Sequence, residues 1–364
     1  MTYYYIAAKG ILGVKTNIKG FKWSFGSNMP EGTREEYESC VVKMHIMLED
    51  FNDDAKLANL GRYHYFNGDP GEDRIYYTRQ LPMNKKLRLK AENLLSDEPK
   101  ITANRTYYKL ITHRIMNLHS LHYIATDLAA LLLLRKGYAP IHCSAFKAGD
   151  ATVAIFAPPD TGKTLSTMTA CGDFGARFIA EDLAITDGEN IYSVPWTNSF
   201  DHYAKNKGAS DRGVKGKLAK VFPLLKQSSK AAAEAQDHDV KAQAILDPET
   251  VTHIAILEKG QDGVLKQVKG TSVSKLMNLN RYEFNFLRAP LLIAHEFFNS
   301  GLMIDEGTVK EKAILSALVR NSEKVFTLRK ANPTHYAETL LDEMKEEPLE
   351  NQKVISLYKQ SFSR

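Results

Sequence analysis

The pattern of hydrophobic and polar positions changes over short distances in the first third of the chain. The run Tyr3–Ala7 is rich in aromatic and apolar residues, which favours a strand. The stretch Thr33–Met47 has the spacing of apolar residues that predicts a helix. After a turn that contains glycine and proline, Arg74–Thr78 again predicts a strand. We therefore expect residues 1–110 to form a small α+β module.

The pattern is different from residue 111 onward. Apolar residues recur at three- and four-residue steps, which predicts a buried helix that ends at Gly137. Short strand-like runs follow at Pro140–Phe146 and Thr152–Phe156, and after a loop a helix is expected to begin near Lys163. Strands that alternate with helices predict an α/β fold, and we assign residues 111–364 to this second domain.

A polar segment interrupts the second domain near residues 203–246, where lysines stand among alanines and serines. It is either a solvated helical insertion or a lid or acceptor-binding element, and the pattern leaves both alternatives open. Thr252–Leu257 then predicts a further strand. The helical region Pro290–Phe298 and a terminal helical segment after Val309 complete the chain.

Composition places the chain among ordinary globular proteins. It has 364 residues, 43% of them hydrophobic and 25% charged, which is enough to fill the cores of two domains. The net charge of +5 is spread along the chain, so nucleic acid binding is not expected. The longest apolar stretch, Leu128–Leu134, is far shorter than the roughly 20 residues that cross a bilayer, so no membrane span is expected.

Two further features bear on the cellular compartment. The N-terminus lacks the basic, apolar and small-residue order of a secretory signal. The cysteines Cys40, Cys143 and Cys171 are odd in number and have no metal-binding or redox spacing. These features favour a reducing cytoplasm.

The strongest chemical signal is the loop Ala157–Thr164, with the sequence Ala-Pro-Pro-Asp-Thr-Gly-Lys-Thr. It follows a predicted strand and precedes a predicted helix, as a phosphate-binding loop does. Backbone N–H groups at such a helix N-terminus attract phosphate. Lys163 is expected to contact the β- and γ-phosphates of ATP, and the Thr164 hydroxyl to coordinate Mg²⁺.

The loop departs from the usual pattern at its start. Alanine replaces the first glycine, and Pro158 and Pro159 have no N–H group to donate. Phosphate contacts are therefore expected from the later residues, Asp160, Thr161 and Gly162, together with the lysine and threonine that follow. Asp160 tolerates left-handed backbone better than most residues do.

Two other positions carry candidate chemistry. Glu181 and Asp182 follow the predicted strand Arg177–Ala180, whose carboxyl end is expected to face the same crevice as the phosphate loop. One carboxylate can hold Mg²⁺, and the other can accept the proton of an attacking hydroxyl. His142 lies in the predicted strand next to the loop strand and is expected to approach the transferred phosphoryl group, whereas Cys143 points to the opposite face and into the core.

The ordered set of a helix, the segment Ile141–Ala145, the Asp-Thr-Gly-Lys-Thr loop and the pair Glu181-Asp182 resembles the catalytic domain of the HPr kinase/phosphorylase family. The resemblance covers roughly Leu118 to Leu257. It implies a nucleotide-binding fold similar to that of phosphoenolpyruvate carboxykinase.

The resemblance also implies roles for individual residues. Lys163 and Thr164 would bind phosphate and Mg²⁺, and His142 would lie at the active site. Asp182 would act as base and metal ligand, with Glu181 in support. The chain is then expected to be an ATP- and Mg²⁺-dependent kinase that transfers the γ-phosphoryl group to a hydroxyl.

The acceptor is left open by the sequence. The Glu-x-Arg-Gly-x-Gly segment of the HPr-modifying enzymes has no clear copy here, which favours another acceptor, either a serine of a peptide or protein or a small molecule. The N-terminal module is a candidate for recognising it. Because relatives are often oligomers, a homo-oligomer is also expected. The alternative is a non-catalytic, regulatory nucleotide-binding protein that senses ATP, which the altered start of the loop favours.

Overall fold

The computed structural model describes residues 1–52, 58–69, 71–115, 117–197, 244–266 and 269–345. Almost all of the polar segment predicted near 203–246 lies outside these residues. Within them the protein is a mixed α/β structure, and no helix there is both long and apolar enough to span a bilayer.

The strands are β1 Tyr3–Ala8, β2 Leu12–Thr16, β3 Glu31–Gly32, β4 Val42–Leu48, β5 Tyr65–Asn67, β6 Arg74–Gln80, β7 Lys86–Glu92, β8 Lys100–Ala103, β9 Ala139–Ile141, β10 Ser144–Ala148, β11 Ala151–Phe156, β12 Arg177–Ala180, β13 Ala184–Thr186, β14 Asn190–Ser193, β15 Glu249–Thr250, β16 His253–Lys259, β17 Gly263–Lys266 and β18 Lys324–Lys330. The helices are α1 Arg34–Glu38, α2 Arg105–Leu110, α3 Leu121–Arg135, α4 Lys163–Phe174, α5 Lys269–Asn280, α6 Pro290–Asn299, α7 Ile304–Asn321 and α8 Tyr336–Lys345.

The chain divides into two compact units, and both are built from separate stretches of sequence. The first comprises residues 1–140 and 280–314, and the second comprises residues 141–279 and 315–364. The first unit therefore extends beyond the predicted boundary at residue 110. It includes α3, which packs against β4, and the Arg114 guanidinium donates to the buried Asp127 carboxylate of this helix.

The first unit contains a sheet with the strand order β3-β1-β2-β4-β8-β7-β6-β5. Strand β4 is parallel to β2 and to β8, and the pairs at either end of the sheet are antiparallel. Along β4 the apolar side chains of Val42, Met44 and Ile46 are buried, and those of Lys43 and His45 between them are partly exposed. This alternation gives the sheet one core face.

The predicted helix Thr33–Met47 is wrong over most of its length. Thr33 and Glu36 form a capping box that begins α1, but the helix ends at Glu38. From Val42 onward buried residues alternate with partly exposed ones, which is the period of a strand. The strand predictions at Tyr3–Ala7 and Arg74–Thr78 are confirmed by β1 and β6.

The second unit is built on a sheet with the order β12-β10-β11-β16-β18-β17. Strands β11, β16 and β18 are parallel neighbours, whereas β10 runs antiparallel to both β11 and β12. Strands β11 and β12 therefore point the same way, and their carboxyl ends lie at one edge of the sheet. This confirms the edge expected for the acidic pair, although the sheet is mixed and not parallel throughout.

Both faces of this sheet are buried. Along β11, Val153 and Ile155 belong to one apolar cluster with residues of α4 and α8, while Ala154 and Phe156 belong to a second cluster with residues of α5 and α7. Helices on both faces of a sheet are typical of α/β architecture. The predicted terminal helical segment is interrupted by β18, which pairs with β16 inside the sheet.

Candidate active site

The loop Ala157–Thr164, for which phosphate binding is predicted, connects β11 to α4, as expected from the sequence. Its backbone enters the left-handed region twice, at Asp160 with φ 59° and at Gly162 with φ 117°. Gly162 is the N-cap of α4 and contributes no side chain to the orphan N–H groups of the first turn. Thr161, Lys163 and Thr164 are each only 6% exposed. The loop therefore holds a buried ammonium and a buried hydroxyl at the positive end of a helix.

Gly162 lies next to residues 333–336, which no sequence pattern connects with the loop. A methyl group on its Cα would lie 2.8 Å from Cβ of Pro333 and 3.4 Å from the Tyr336 ring. Tyr336 is the first residue of α8, and its hydroxyl donates a 2.6 Å hydrogen bond to the carbonyl oxygen of Glu258 at the end of β16. The nearness of residues 333–336 and the positive φ together account for glycine at this position.

Lys163 lies between two predicted site residues. Its Nζ donates to Asp182 Oδ1 at 3.1 Å and lies 3.1 Å from His142 Nε2. The lysine side chain is 7% exposed and that of Asp182 is 34% exposed. The carboxylate therefore compensates the buried ammonium and still reaches solvent.

His142 is neutral in this arrangement. Burial, followed by the nearby Lys163 ammonium, lowers the pKa of His142 from 6.5 to about 4, and the Asp182 carboxylate opposes this shift. A neutral imidazole can accept the hydrogen bond that the ammonium offers to its Nε2. At neutral pH the histidine is thus an acceptor for Lys163, not a second cation beside it.

The strand predicted for Pro140–Phe146 is broken at His142. Strand β9 ends at Ile141 and β10 begins at Ser144, so that His142 and Cys143 form the connection. Because His142 lies outside both strands, its imidazole can point toward Lys163. Cys143 is fully buried in an apolar cluster, which confirms the prediction that it belongs to the core.

Glu181 is the most buried acid of the site, with no exposed surface. Its Oε1 accepts a 2.6 Å hydrogen bond from Thr164 Oγ1, and its Oε2 lies 3.2 Å from Thr197 Oγ1. A buried carboxylate is tolerated when hydroxyl groups satisfy its oxygens in this way. These contacts join the helix end, the end of β12 and the segment after β14.

Asp182 follows in a tight turn. The Leu183 N–H donates to the carbonyl oxygen of Glu181 at 2.8 Å, and Asp182 between them has φ 63°. A bond across a single residue with positive φ has the pattern of the less common and more strained form of γ-turn. Strained backbone of this kind often marks functional sites.

The predicted site residues fall into two groups in the structure. One consists of Lys163, His142 and Asp182, and the other of Thr164 and Glu181. The metal ligands were expected to be Thr164 and Asp182, but the carboxylate that contacts Thr164 is that of Glu181. Asp160 is exposed, and no cluster of three or more acidic, histidine or cysteine side chains suited to a metal occurs in the described part of the chain.

Three site neighbours were missed by sequence reasoning: Thr197, Pro333 and Tyr336. Each is far from the loop in sequence and belongs to no motif, so only the folded chain brings it there. No family model matches the chain, and no curated protein matches it either. The function must therefore be inferred from the side chains themselves.

Proposed function

We propose that this protein is an ATP- and Mg²⁺-dependent kinase, related to the HPr kinase/phosphorylase family, that transfers the γ-phosphoryl group to a hydroxyl acceptor. The observation that carries the proposal is the position of Lys163 at the N-terminus of α4, with its Nζ 3.1 Å from Asp182 Oδ1 and 3.1 Å from His142 Nε2. A helix end, a buried ammonium and an acid that can reach an acceptor occur together at this point.

The residues present suit a nucleotide phosphate. Gly162 carries no capping side chain, so the N–H groups of the first turn of α4 can be donated to an anion. The buried Lys163 ammonium adds positive charge at the same place. In the proposed complex the phosphate oxygens of ATP replace Asp182 as the partner of Lys163.

The oxygen donors also suit Mg²⁺, which prefers carboxylate and hydroxyl ligands. Thr164 Oγ1 and Glu181 Oε1 are 2.6 Å apart and are the pair we assign to it. When bound, Mg²⁺ neutralises charge on the β- and γ-phosphates. This leaves Asp182 for the chemistry of the acceptor.

In the proposed transfer, the acceptor oxygen attacks the γ-phosphorus, and the bond from that phosphorus to the bridging oxygen of ADP breaks. The acceptor proton passes to the Asp182 carboxylate, whose side chain is 34% exposed and so can be reached by a second substrate. Lys163 and the α4 N–H groups hold the transferred group in line. His142, being neutral, fixes the Lys163 ammonium without adding charge.

Phosphoryl transfer from γ-labelled ATP with Mg²⁺ tests the proposal, with host-cell extract separated into small molecules, peptides and proteins. We expect label in one fraction with the intact protein, and loss of transfer with Lys163→Ala and with Asp182→Asn. Lys147→Ala serves as a control, because Lys147 pairs with Glu249 away from the loop. ATP binding without transfer to any fraction would favour the regulatory nucleotide-binding alternative.

The proposal also covers the acceptor, the cellular compartment and the partners of the protein. The acceptor is a serine of a peptide or protein or a small molecule, and the first unit is the candidate to recognise it. A reducing cytoplasm is supported by Cys40, Cys143 and Cys171, which are all free thiols. A homo-oligomer, with neither nucleic acid nor membrane as partner, completes the proposal.

A further inference from the structure

Thr197 lies beside the acidic pair but belongs to no motif. It is 6% exposed and follows β14, at the end of a described stretch of chain. Its hydroxyl oxygen is 2.7 Å from the carbonyl oxygen of Glu181 and 3.2 Å from Oε2 of the same residue. One hydroxyl proton is thus shared between the backbone carbonyl of Glu181, which is nearer, and the carboxylate of the same residue.

The contact with the carboxylate determines which way Glu181 faces. Its two oxygens have different partners, Thr164 at Oε1 and Thr197 at Oε2. Because the side chain is fully buried, rotation away from these hydroxyls would break its contacts with both of them. Thr197 therefore helps to keep Oε1 directed at Thr164.

The contact with the backbone acts on the next residue. The Glu181 carbonyl accepts from Thr197 Oγ1 and also from the N–H of Leu183, which closes the turn around Asp182. Asp182 has φ 63°, a conformation that needs support from its surroundings. Holding the carbonyl of Glu181 thus also holds the direction in which Asp182 projects toward Lys163.

We infer that Thr197 is a positioning residue that fixes both acids of the site, Glu181 for Mg²⁺ and Asp182 for the acceptor. The inference rests on the proposed function for its meaning. It goes beyond that proposal because it assigns the alignment of two acids to a single hydroxyl outside the phosphate loop.

Thr197→Val removes the hydroxyl at nearly constant volume, and Thr197→Ser keeps it. Thr186→Val is the matched control, since Thr186 is also buried and donates to a main-chain carbonyl, that of Asn190, at 2.7 Å. The affinity for ATP is measured by calorimetry for each variant, once with Mg²⁺ and once with EDTA.

We expect Thr197→Val to reduce the gain in ATP affinity that Mg²⁺ provides by about tenfold, the range seen when a residue that orients a metal ligand is removed. Affinity in EDTA should stay within about twofold, and Thr197→Ser and Thr186→Val should match the parent protein. An unchanged Mg²⁺ effect in Thr197→Val, or an equal loss in Thr186→Val, would overturn the inference.

A second measurement needs no nucleotide. Hydrogen exchange at the Leu183 amide should be about fivefold faster in Thr197→Val than in the parent or in Thr186→Val, because the turn loses one hydrogen bond that supports it. Unchanged exchange overturns the inference. If exchange accelerates but the parent protein binds no ATP, the positioning role stands and the proposed kinase function fails.

Discussion

The hydroxyl of Thr164 donates a 2.6 Å hydrogen bond to the carboxylate of Glu181, although 17 positions separate the two residues in the sequence. The bond connects the first turn of α4 to the end of β12. It also distinguishes the two adjacent acids, because Asp182 is bonded to Lys163 instead. The two acids therefore have different neighbours, and we expect them to have different roles.

Glu181→Gln should weaken Mg²⁺-dependent binding of ATP by roughly 10- to 100-fold, since an amide keeps the hydrogen bond from Thr164 but removes the negative charge offered to the metal. Calorimetric titrations with Mg²⁺ and with EDTA measure the effect. Glu249→Gln is the control, because Glu249 pairs with Lys147 on β10. Equal Mg²⁺ dependence in the Glu181 variant and the parent would contradict the assignment of Glu181 to the metal.

Stability should depend on pH through His142. Its pKa is about 4 in the folded protein and 6.5 for a histidine in the unfolded chain, so between these values the unfolded chain binds the extra proton. The contribution of His142 is therefore fully present above pH 6.5 and is lost as the pH falls toward 4. Its full size is on the order of 3 kcal/mol.

The His142→Asn variant isolates this effect. We expect the difference in free energy of unfolding between pH 7 and pH 5 to shrink by about 2 kcal/mol relative to the parent, as measured by urea denaturation at both values. His335→Asn, which removes a histidine whose side chain is 60% exposed, is measured alongside as the control. His45 and His253 also have pKa values lowered to about 4 by burial, so some pH dependence should persist.

Gly162→Ala should destabilise the second unit by roughly 3 kcal/mol. The added methyl group would lie 2.8 Å from Pro333 Cβ, and the backbone there has φ 117°. Gly175→Ala separates the two causes: Gly175 ends α4 with φ 72°, but no atom lies within 4 Å of the added methyl group. Gly175→Ala should lower the free energy of unfolding by only about 1 kcal/mol, as measured by urea denaturation. An equal loss in the two variants would show that the contact with Pro333 is unimportant.

Tyr336→Phe should lower the free energy of unfolding by about 1 kcal/mol, since the carbonyl of Glu258 loses the 2.6 Å hydrogen bond that the phenol donates. We also expect weaker ATP binding, because the ring beside Gly162 loses the hydrogen bond that holds it in place. Tyr282→Phe is a suitable control in both denaturation and calorimetry, as Tyr282 is 59% exposed. Unaltered ATP affinity in the Tyr336 variant would limit the role of this contact to stability.

The loop and its flanking elements could be predicted from the sequence because their signals are local. Between Thr152 and Lys163 the sequence has an apolar run, then two prolines, then a glycine. These mark a strand, a loop and the start of a helix. The end of the helix before Gly137 was also predicted from a local signal, the glycine itself. In the structure α3 ends at Arg135, and Gly137 has positive φ. The break of the strand at His142 gave no such signal.

Other features depend on distant partners and could not be predicted. Nothing in the sequence near Thr197 or Tyr336 indicates a contact with Glu181 or Gly162. The helix predicted through Met47 failed because its residues from Val42 onward also fit the alternation of a strand, and β4 pairs with β2 and β8. Thr164 contacts Glu181 and Lys163 contacts Asp182. This pairing likewise depends on where β12 ends in the folded chain.

The position of β18 within the second sheet has a consequence for synthesis on the ribosome. This strand fills the place between β16 and β17, and the contact of Pro333 and Tyr336 with the loop follows it in the chain. When the loop, the two acids and β16 have left the ribosome, β18, which pairs with both β16 and β17, has not yet been synthesised. The proposed nucleotide site should therefore form late, and a polypeptide cut short before residue 324 should be a substrate for chaperones and proteases.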